Sequence, residues 1–407
     1  MVVAHSLLES LVLDNQSRIV LLVLDGLGDL PNPERGWRTP LEAARTPNFD
    51  AIAPASAMGR ILPVAPGITP GSGPGHIALF GYDPLETVVG RGVLEAIGAG
   101  FELEPGDVAA RANFCTVDAA GVVTDRRAGR IPSEECARLV ERLKGVVSRI
   151  EDVDLLLRAG KGHRFVVVLR GPGLAGDVSD ADPHKEGKAV PRVEPLTDEP
   201  GAAKTARVVN AFVERAAQAL AAERPANAVL ARGLSARPRF PGFGERFRLR
   251  AVALAAYPMY RGVAQLAGMR VEPAGETPAD AFAAAGRVWN DYDFFFIHVK
   301  GTDQAGEDGK FEPKVATIEA VDQALPALLA LKPDVLCVTG DHSTPVPVRQ
   351  HSWHPVPVLV HAPFCGADQM PRFHEKNARA GSLGVLPSKD LMAVLLANAG
   401  RLDKYGA

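Results

Sequence analysis

Four short stretches of the 407-residue chain offer carboxylates and imidazoles that could hold metal ions. Asp25 opens a DGLGD turn directly after an apolar run, and Asp341 and His342 stand side by side after another. HVKGTDQAGEDG carries Asp303 with Glu307 four residues on, and HSWHPVPVLV supplies His351 and His354. Adjacent carboxylate and imidazole groups suit a divalent ion such as Mn or Zn. The spacing of Asp303 and Glu307 lets both side chains reach one ion if a helical turn forms there. A fifth stretch, TPGSGPGHIALFGYDP, holds Ser72 between Gly71 and Gly73, with Gly75 and His76 just beyond. The glycines allow unusual dihedrals and close approach of a phosphate or a metal. No Gly-Lys-Ser/Thr follows, so this is not a Walker loop, and PGSGP does not fit the G-x-S-x-G elbow.

Each motif has an ordinary alternative. An Asp after a strand is often a helix cap, a lone histidine is usually structural, and a Gly/Pro stretch is usually a loop. Their combination carries more: four of the ten histidines fall between 298 and 354, where two core strands also end. Phosphoryl transfer needs a nucleophile active at neutral pH and neutralisation of the transferred oxygens. Two ions roughly 3.5 to 4 Å apart do both. One would lower the pKa of the Ser72 hydroxyl while both hold the phosphoryl oxygens.

The elements that must position these residues are three similar runs, RIVLLVLD (18 to 25), YDFFFIHVKGTD (292 to 303) and DVLCVTGDH (334 to 342). Each is β-rich and apolar on both faces, the pattern of buried parallel strands. FEPKVATIEAVDQALPALLAL has helical spacing and predicts a crossover helix between the last two, and TPADAFAAAGRVWND predicts a helix before the 292 strand. This order predicts a doubly wound α/β domain with a mainly parallel sheet. Ligands bind beyond the carboxyl ends of such strands, which puts Asp25, Asp303, Asp341 and His342 at one edge.

The middle of the chain reads differently. From about 97 to about 200, ARANFCTVD, GVVTDRR, DVDLLLR and RFVVVLRG predict short strands around one helix, SEECARLVERLKGVV. A polar stretch follows through 171 to 201. This predicts a smaller α+β insertion at 97–200 within a domain made of 1–96 and 201–407. The helix GAAKTARVVNAFVERAAQALAAE and the strands NAVLARG and RLRAVALAAY are expected to return to the first domain.

Composition narrows the class. Apolar residues make up 46% and charged residues 23%, as in soluble globular proteins. A net charge of −3 gives no basic surface for nucleic acid. Cys115, Cys136, Cys337 and Cys365 are scattered, which predicts free thiols in a reducing cytoplasm, with Cys337 in the core. Glu9 and Asp14 in the first 17 residues argue against a signal peptide. No run approaches the roughly 18 to 20 apolar residues of a membrane span.

The chain resembles the alkaline phosphatase superfamily and, within it, the archaeal-type cofactor-independent phosphoglycerate mutases. VLDGLGD, TPLEAARTPNFDAIA, PGSGPGHIALFGYDP, GRGVLEAIGAG, ARANFCTV followed by TDRRAGRI, GHRFVVVLRG, DADPHKEGK, HVKGTDQAGEDG, GDHSTPV and HSWHPVPVLV carry the likeness over nearly the whole length. The resemblance implies a phosphatase-like metal domain interrupted by a substrate domain, interconverting 3-phosphoglycerate and 2-phosphoglycerate. It makes Ser72 nucleophile and ligand, with Asp25, Asp341 and His342 on the ion beside it. Asp303, residue 307 and His351 would hold a second ion. It implies two divalent ions, manganese first with zinc, cobalt or magnesium as alternatives, and no 2,3-bisphosphoglycerate. TDRRAGR resembles the substrate clamp, with Arg126 and Arg130 on carboxylate or phosphate, Asp125 on a glycerate hydroxyl, and Asn113 and Arg91 assisting. The implied partner is a small phosphorylated glycerate, with neither nucleic acid nor membrane, and assembly as a homo-oligomer stays open.

Two departures from the family pattern stand out. Gly306-Glu307-Asp308-Gly309 replaces the usual G-H-D-G, so a carboxylate takes the place of an imidazole and favours harder ions. His354 stands where an acidic residue is expected, which suggests that it restores the nitrogen lost at 307. The competing readings are a phosphohydrolase or another phosphomutase of the superfamily, and a catalytically dead binding relative.

Overall fold

The computed structural model describes residues 5–406. The chain divides into two compact units, one running to Val88 and resuming at Phe240, the other spanning Val89–Arg239.

The first unit is built on an eight-stranded sheet. From one edge to the other its strands are Arg270–Val271, Ala251–Ala255, Phe294–Val299, Ile19–Leu24, Val335–Thr339, Val356–His361, Ser56–Leu62 and Gly384–Pro387. All pairs are parallel except the two made by Val356–His361, which runs against both neighbours. The mainly parallel α/β sheet expected from the sequence is therefore present. IVLLVL, FFFIHV and VLCVT are buried along their whole lengths, because helices cover both faces and leave no wet side for a polar residue. Register aligns Leu24 with Val299 and Val23 with both His298 and Thr339. Asp25, Lys300 and Asp341 consequently emerge together just past the carboxyl ends of three adjacent strands.

Helix Phe311–Leu329 is the expected crossover. Pro326 lies inside it and cannot donate to the Asp322 carbonyl four residues back. Asn48 Nδ2 satisfies that carbonyl at 2.9 Å, so the helix continues. The same helix buries Lys314, whose Nζ donates to Gly26 O at 2.8 Å, Asp29 Oδ2 at 2.8 Å and Thr344 O at 2.9 Å. This one ammonium ties the turn after the first strand to the loop after Val335–Thr339, fixing the two segments that carry Asp25, Asp341 and His342.

The second unit is an antiparallel sheet in the order Val123–Asp125, Val108–Val117, Arg164–Arg170, Val153–Ala159, Arg149–Ile150, with Ala228–Ala236 also paired to Val108–Val117. Helices Ser133–Lys144 and Pro200–Leu220 cover one face, burying Cys136, Leu139, Val140, Leu143, Val208 and Phe212 against it. The junctions thus fall at 88/89 and 239/240 rather than 96/97 and 200/201. The helix at 200–220 and the strand at 228–236 belong to the second unit, not the first as the sequence reading has it. The reason is pairing: Ala228–Ala236 takes its hydrogen bonds from Val108–Val117, and the helix completes the same core. RLRAVALAAY does return to the first unit, as Ala251–Ala255.

All four cysteines are free, and Cys337 is fully buried. Among the described residues no helix is long and apolar enough to cross a membrane.

Candidate metal and phosphoryl-transfer site

Ser72 is the first residue of an α-helix, Ser72–Leu79, with Gly71 as its N-cap. The glycines do not supply unusual dihedrals here: Gly71 has φ −85°, and none of Gly71, Gly73 and Gly75 has a positive φ. Their use lies in space. A Cβ on Gly75 would sit 2.6 Å from the Asp341 carbonyl oxygen, so the helix can lie against the Asp341 backbone only with glycine there. Gly26 is constrained twice, by φ +63° and by a would-be Cβ 2.4 Å from Thr344 Oγ1 and 2.9 Å from Asp303 Oδ1. Gly75→Ala should therefore push Asp341 off its position and lower turnover by about 10²-fold, since small misplacements near reacting atoms cost that much. Steady-state kinetics beside a thermal melt checks this, and unchanged kcat would show the contact to be slack.

The convergence expected from the sequence is present. Ser72 Oγ lies 3.4 Å from His342 Nε2. That nitrogen is 3.3 Å from Asp25 Oδ1 and 3.3 Å from Asp341 Oδ2. All three ligand candidates are fully buried. Gly26 N–H donates to Asp341 Oδ1, which leaves Oδ2 turned inward. Asp25 Oδ1 and Asp341 Oδ2 are buried with no hydrogen-bond donor in bonding geometry. Two orphaned carboxylate oxygens and an imidazole nitrogen around one point form a donor set for a divalent cation.

Hydrogen bonds assign the two imidazoles. Thr344 Oγ1 donates to Asp303 Oδ1 at 2.6 Å, so its oxygen accepts from His342 Nδ1 at 3.0 Å. The His342 lone pair is then on Nε2, facing Ser72, Asp25 and Asp341. His351 Nδ1 lies 3.0 Å from the Pro70 carbonyl and donates to it, so Nε2 is the nitrogen that carries the lone pair in the neutral ring and the added proton in the charged one. That atom is 3.5 Å from Asp303 Oδ1 and 3.8 Å from Glu307 Oε1. Asp303, His342 and His351 also lie close enough to share an ion, but the Thr344 bond commits His342 to the Ser72 side. Asp303 and His351 thus make a second pair of facing donors. Glu307, at the end of helix Gly301–Glu307, is half exposed at its margin. His354 belongs to neither group: its Nδ1 is 3.0 Å from Ser352 Oγ and its ring stacks on Trp353. The substitution at 307 is not matched there.

Burial alone would push the Asp25 carboxyl up; the neighbouring imidazoles, His298 first through its bond and charge and His342 beside it, more than offset it and hold it well below the ordinary range. Asp303 is likewise held low against burial, by His351 and Lys300. His351 loses by burial but gains more from the Asp303 bond, and is pushed up to about 8. The pocket thus keeps Asp25 and Asp303 charged, which suits a cation.

Four side chains here went unassigned in the sequence reading. Lys300 Nζ bridges Asp25 Oδ2 at 3.1 Å and Asp303 Oδ2 at 2.5 Å, spanning both groups. It also donates to Tyr260 Oη at 2.9 Å. Burial, with Asp25 and Asp341 nearby, pushes the Tyr260 phenol up, so it stays protonated beside Ser72. His298 Nε2 is 3.2 Å from Asp25 Oδ2, and His76 Nδ1 is 3.2 Å from Asp341 Oδ2. His76 had a legible signal: four residues beyond Ser72, it shares that side of a helix.

The residues singled out for substrate lie in the second unit. Asp125 accepts from the backbone N–H of Arg127 at 2.7 Å and Gly129 at 2.6 Å, shaping the turn. Arg126 is engaged by Asp182 through bonds of 2.9 and 2.7 Å. Arg130 is exposed at φ +56°. Asn113 is buried, with no donor on its Oδ1. Arg91 is exposed and 3.9 Å from Glu95.

The profile of the family described as 2,3-bisphosphoglycerate-independent phosphoglycerate mutase matches residues 53–227. A protein of Thermotoga neapolitana described as a probable enzyme of that name is 51% identical over 397 residues, 98% of each chain. Its namesake from Thermus thermophilus is 50% identical over 403 residues, again 98% of each. The solved structure of a cofactor-independent phosphoglycerate mutase from Thermoplasma acidophilum superposes with a TM-score of 0.79 at 31% identity, covering 94% of this chain and 100% of its own. With the serine, carboxylates and imidazoles gathered as that chemistry demands, the chain belongs to the family of 2,3-bisphosphoglycerate-independent phosphoglycerate mutases.

Proposed function

We propose that the chain interconverts 3-phosphoglycerate and 2-phosphoglycerate through a phosphoserine at Ser72. The observation that carries this is the placement of Ser72 Oγ 3.4 Å from His342 Nε2, within the group that Asp25 and Asp341 complete. Asp25, Ser72, Asp341 and His342 would hold one divalent ion, and Asp303, His351 and Glu307 a second. Bound ions supply charge neutralisation for the phosphoryl oxygens and a lowered pKa for the serine hydroxyl. Manganese is the first choice. Glu307 in place of an imidazole adds an oxygen donor, which favours Mn and Mg over Zn.

The chain's own residues do the remaining work. Ser72 Oγ attacks phosphorus as the bond to the C3 oxygen of the glycerate breaks, and the C2 hydroxyl later takes the group back. Free backbone N–H groups at the start of helix Ser72–Leu79 favour the negative charge that gathers there. The Tyr260 hydroxyl is a ready donor beside Ser72, and Lys300 keeps Asp25 and Asp303 at a fixed separation. In the second unit Arg130 is exposed and makes no ion pair among the described residues, Asn113 offers an acceptor from its strand, and Asp125 and Arg126 with Asp182 hold the turn that carries Arg130. A cytoplasmic setting fits a free-thiol protein acting on a small phosphorylated metabolite.

Phosphorus NMR with 3-phosphoglycerate and no added bisphosphoglycerate tests the assignment. The 2-phosphoglycerate resonance should grow without free phosphate. Phosphate release at a rate matching turnover would make the enzyme a phosphohydrolase instead.

A further inference from the structure

Thr344 stands between one ligand candidate of each proposed ion, and it is fully buried. Its backbone N–H is shared by the Gly26 and Gly28 carbonyls at 3.3 and 3.1 Å, and its own carbonyl takes Lys314 Nζ at 2.9 Å. A Cβ on Gly306 would meet Thr344 O at 2.3 Å and Cγ2 at 2.9 Å, so helix Gly301–Glu307 rests directly on the residue. Backbone and methyl are therefore held without help from the hydroxyl. What the hydroxyl touches is Asp303 Oδ1 at 2.6 Å and His342 Nδ1 at 3.0 Å.

A hydroxyl has one proton to give, and two groups here compete for it. Lys300 Nζ holds the other Asp303 oxygen, Oδ2, so the carboxyl is ionised and can only accept. An imidazole nitrogen can do either. Turned toward His342, the Thr344 proton would leave two acceptor oxygens 2.6 Å apart with nothing between them; turned toward Asp303, it makes a short charge-assisted bond. His342 must then donate from Nδ1, which leaves Nε2 with the lone pair of the neutral ring. The rest of the site pulls the other way: Asp25 Oδ1 and Asp341 Oδ2, each 3.3 Å from Nε2, would draw a proton onto that nitrogen. His351 stacks on the His342 ring, centroids 3.6 Å apart, and so offers no bond in its plane. Among the described residues Thr344 Oγ1 is the one hydrogen-bond partner of Nδ1.

We infer that Thr344 is a positioning residue that couples the two ion sites: through its single proton, the Asp303 carboxylate fixes Nδ1 as the protonated nitrogen of His342 and frees Nε2 for the ion beside Ser72. The inference rests on the proposed function for the presence of two ions, and not for the substrate. A ligand of one ion thereby readies a ligand of the other.

Two variants differ by the hydroxyl alone, since Thr344→Ser keeps it, Thr344→Ala removes it, and both lose the methyl. Calorimetric titration of the chelated full chain with manganese should give Thr344→Ala a Kd for the ion on His342 about 10- to 100-fold above wild type, the usual cost of losing such an orienting partner. Thr344→Ser should stay within threefold. Nitrogen-15 NMR of the imidazole rings in the chelated proteins, with His342 assigned through His342→Gln, reads the cause. The His342 proton should sit on Nδ1 in wild type and Thr344→Ser, and on Nε2 alone in Thr344→Ala. Manganese affinities within twofold of wild type in Thr344→Ala overturn the inference, as does an equal loss in Thr344→Ser. Weaker binding with the proton still on Nδ1 overturns it too, because a loosened loop would do that. Should Thr344→Ala fail to fold, a wild-type His342 protonated on Nε2 alone is the overturning result, and a proton on Nδ1 with affinity kept in Thr344→Ser the supporting one. If ring and affinities behave as expected while phosphorus NMR shows phosphate released from 3-phosphoglycerate, Thr344 keeps its role and the mutase reading falls. Conversion to 2-phosphoglycerate with unchanged affinities in Thr344→Ala does the reverse.

Discussion

Ser72→Ala is expected to lower turnover of 3-phosphoglycerate by about 10⁴-fold or more while leaving the fold intact, because covalent catalysis has no substitute for its nucleophile. Structure makes the two effects separable. The helix is capped through the Gly71 backbone, and the Ser72 carbonyl, not its hydroxyl, engages His76 Nδ1 at 2.8 Å. Removing Oγ deletes no bond that holds an element in place, so stability should change by no more than about 0.5 kcal/mol. Asp25, Asp341 and His342 would remain to hold the first ion under the proposed function, so two ions should still bind. Mass spectrometry of acid-quenched wild type should find phosphate on the peptide containing Ser72, and the variant should show none. Turnover within tenfold of wild type in the alanine variant would remove Ser72 from the chemistry. A phosphohydrolase would lose activity equally, so this result tests the serine, and the NMR result tests the fate of the phosphoryl group.

What could be read from the sequence follows from how local each cause is. IVLLVL, FFFIHV and VLCVT announce buried parallel strands because neither face can tolerate a polar residue. Asp25, Asp341 and His342 follow such strands directly, so the carboxyl-edge rule placed them without any knowledge of pairing. The helix at Ser72 has no mark in the sequence because PGSGPGH has poor intrinsic helix propensity, and its glycines suggest unusual dihedrals instead; contact with Asp341, 266 positions later by number, is what selects glycine at position 75. Lys300, His298 and Tyr260 were passed over because each is a single residue with no periodic mark, and only the register of Val23 with His298 shows where they go. The domain junction was misplaced for the same reason. Ala228–Ala236 pairs with a strand over a hundred residues earlier, and nothing in NAVLARG names its partner.

Chelation should abolish activity and lower the melting temperature, and manganese should restore both. Asp25, Asp303 and Asp341 are buried to 1% exposure or less, and among the described residues their ion-pair partners are Lys300 and the surrounding imidazoles. An ion bound only by the folded state stabilises it by about 2.7 kcal/mol when present at a hundred times its Kd, so two sites contribute roughly 5 kcal/mol. The pH dependence of the chelated protein identifies the second site. His351 is raised from 6.5 to about 8 by the Asp303 bond, so its protonated form binds more tightly in the fold than in the unfolded chain. The resulting stability, about 2 kcal/mol, is complete below pH 6.5 and is lost as pH rises through 8. In the loaded enzyme an ion displaces that proton and this decline should vanish. Asp25→Asn should leave one bound ion with the decline still absent, whereas Asp303→Asn should bind one ion and abolish the decline for a different reason, since the raised value depends on that carboxylate. Full activity and an unshifted melt after chelation, with metal content verified as zero, would show that the carboxylates gather here for some purpose other than holding cations.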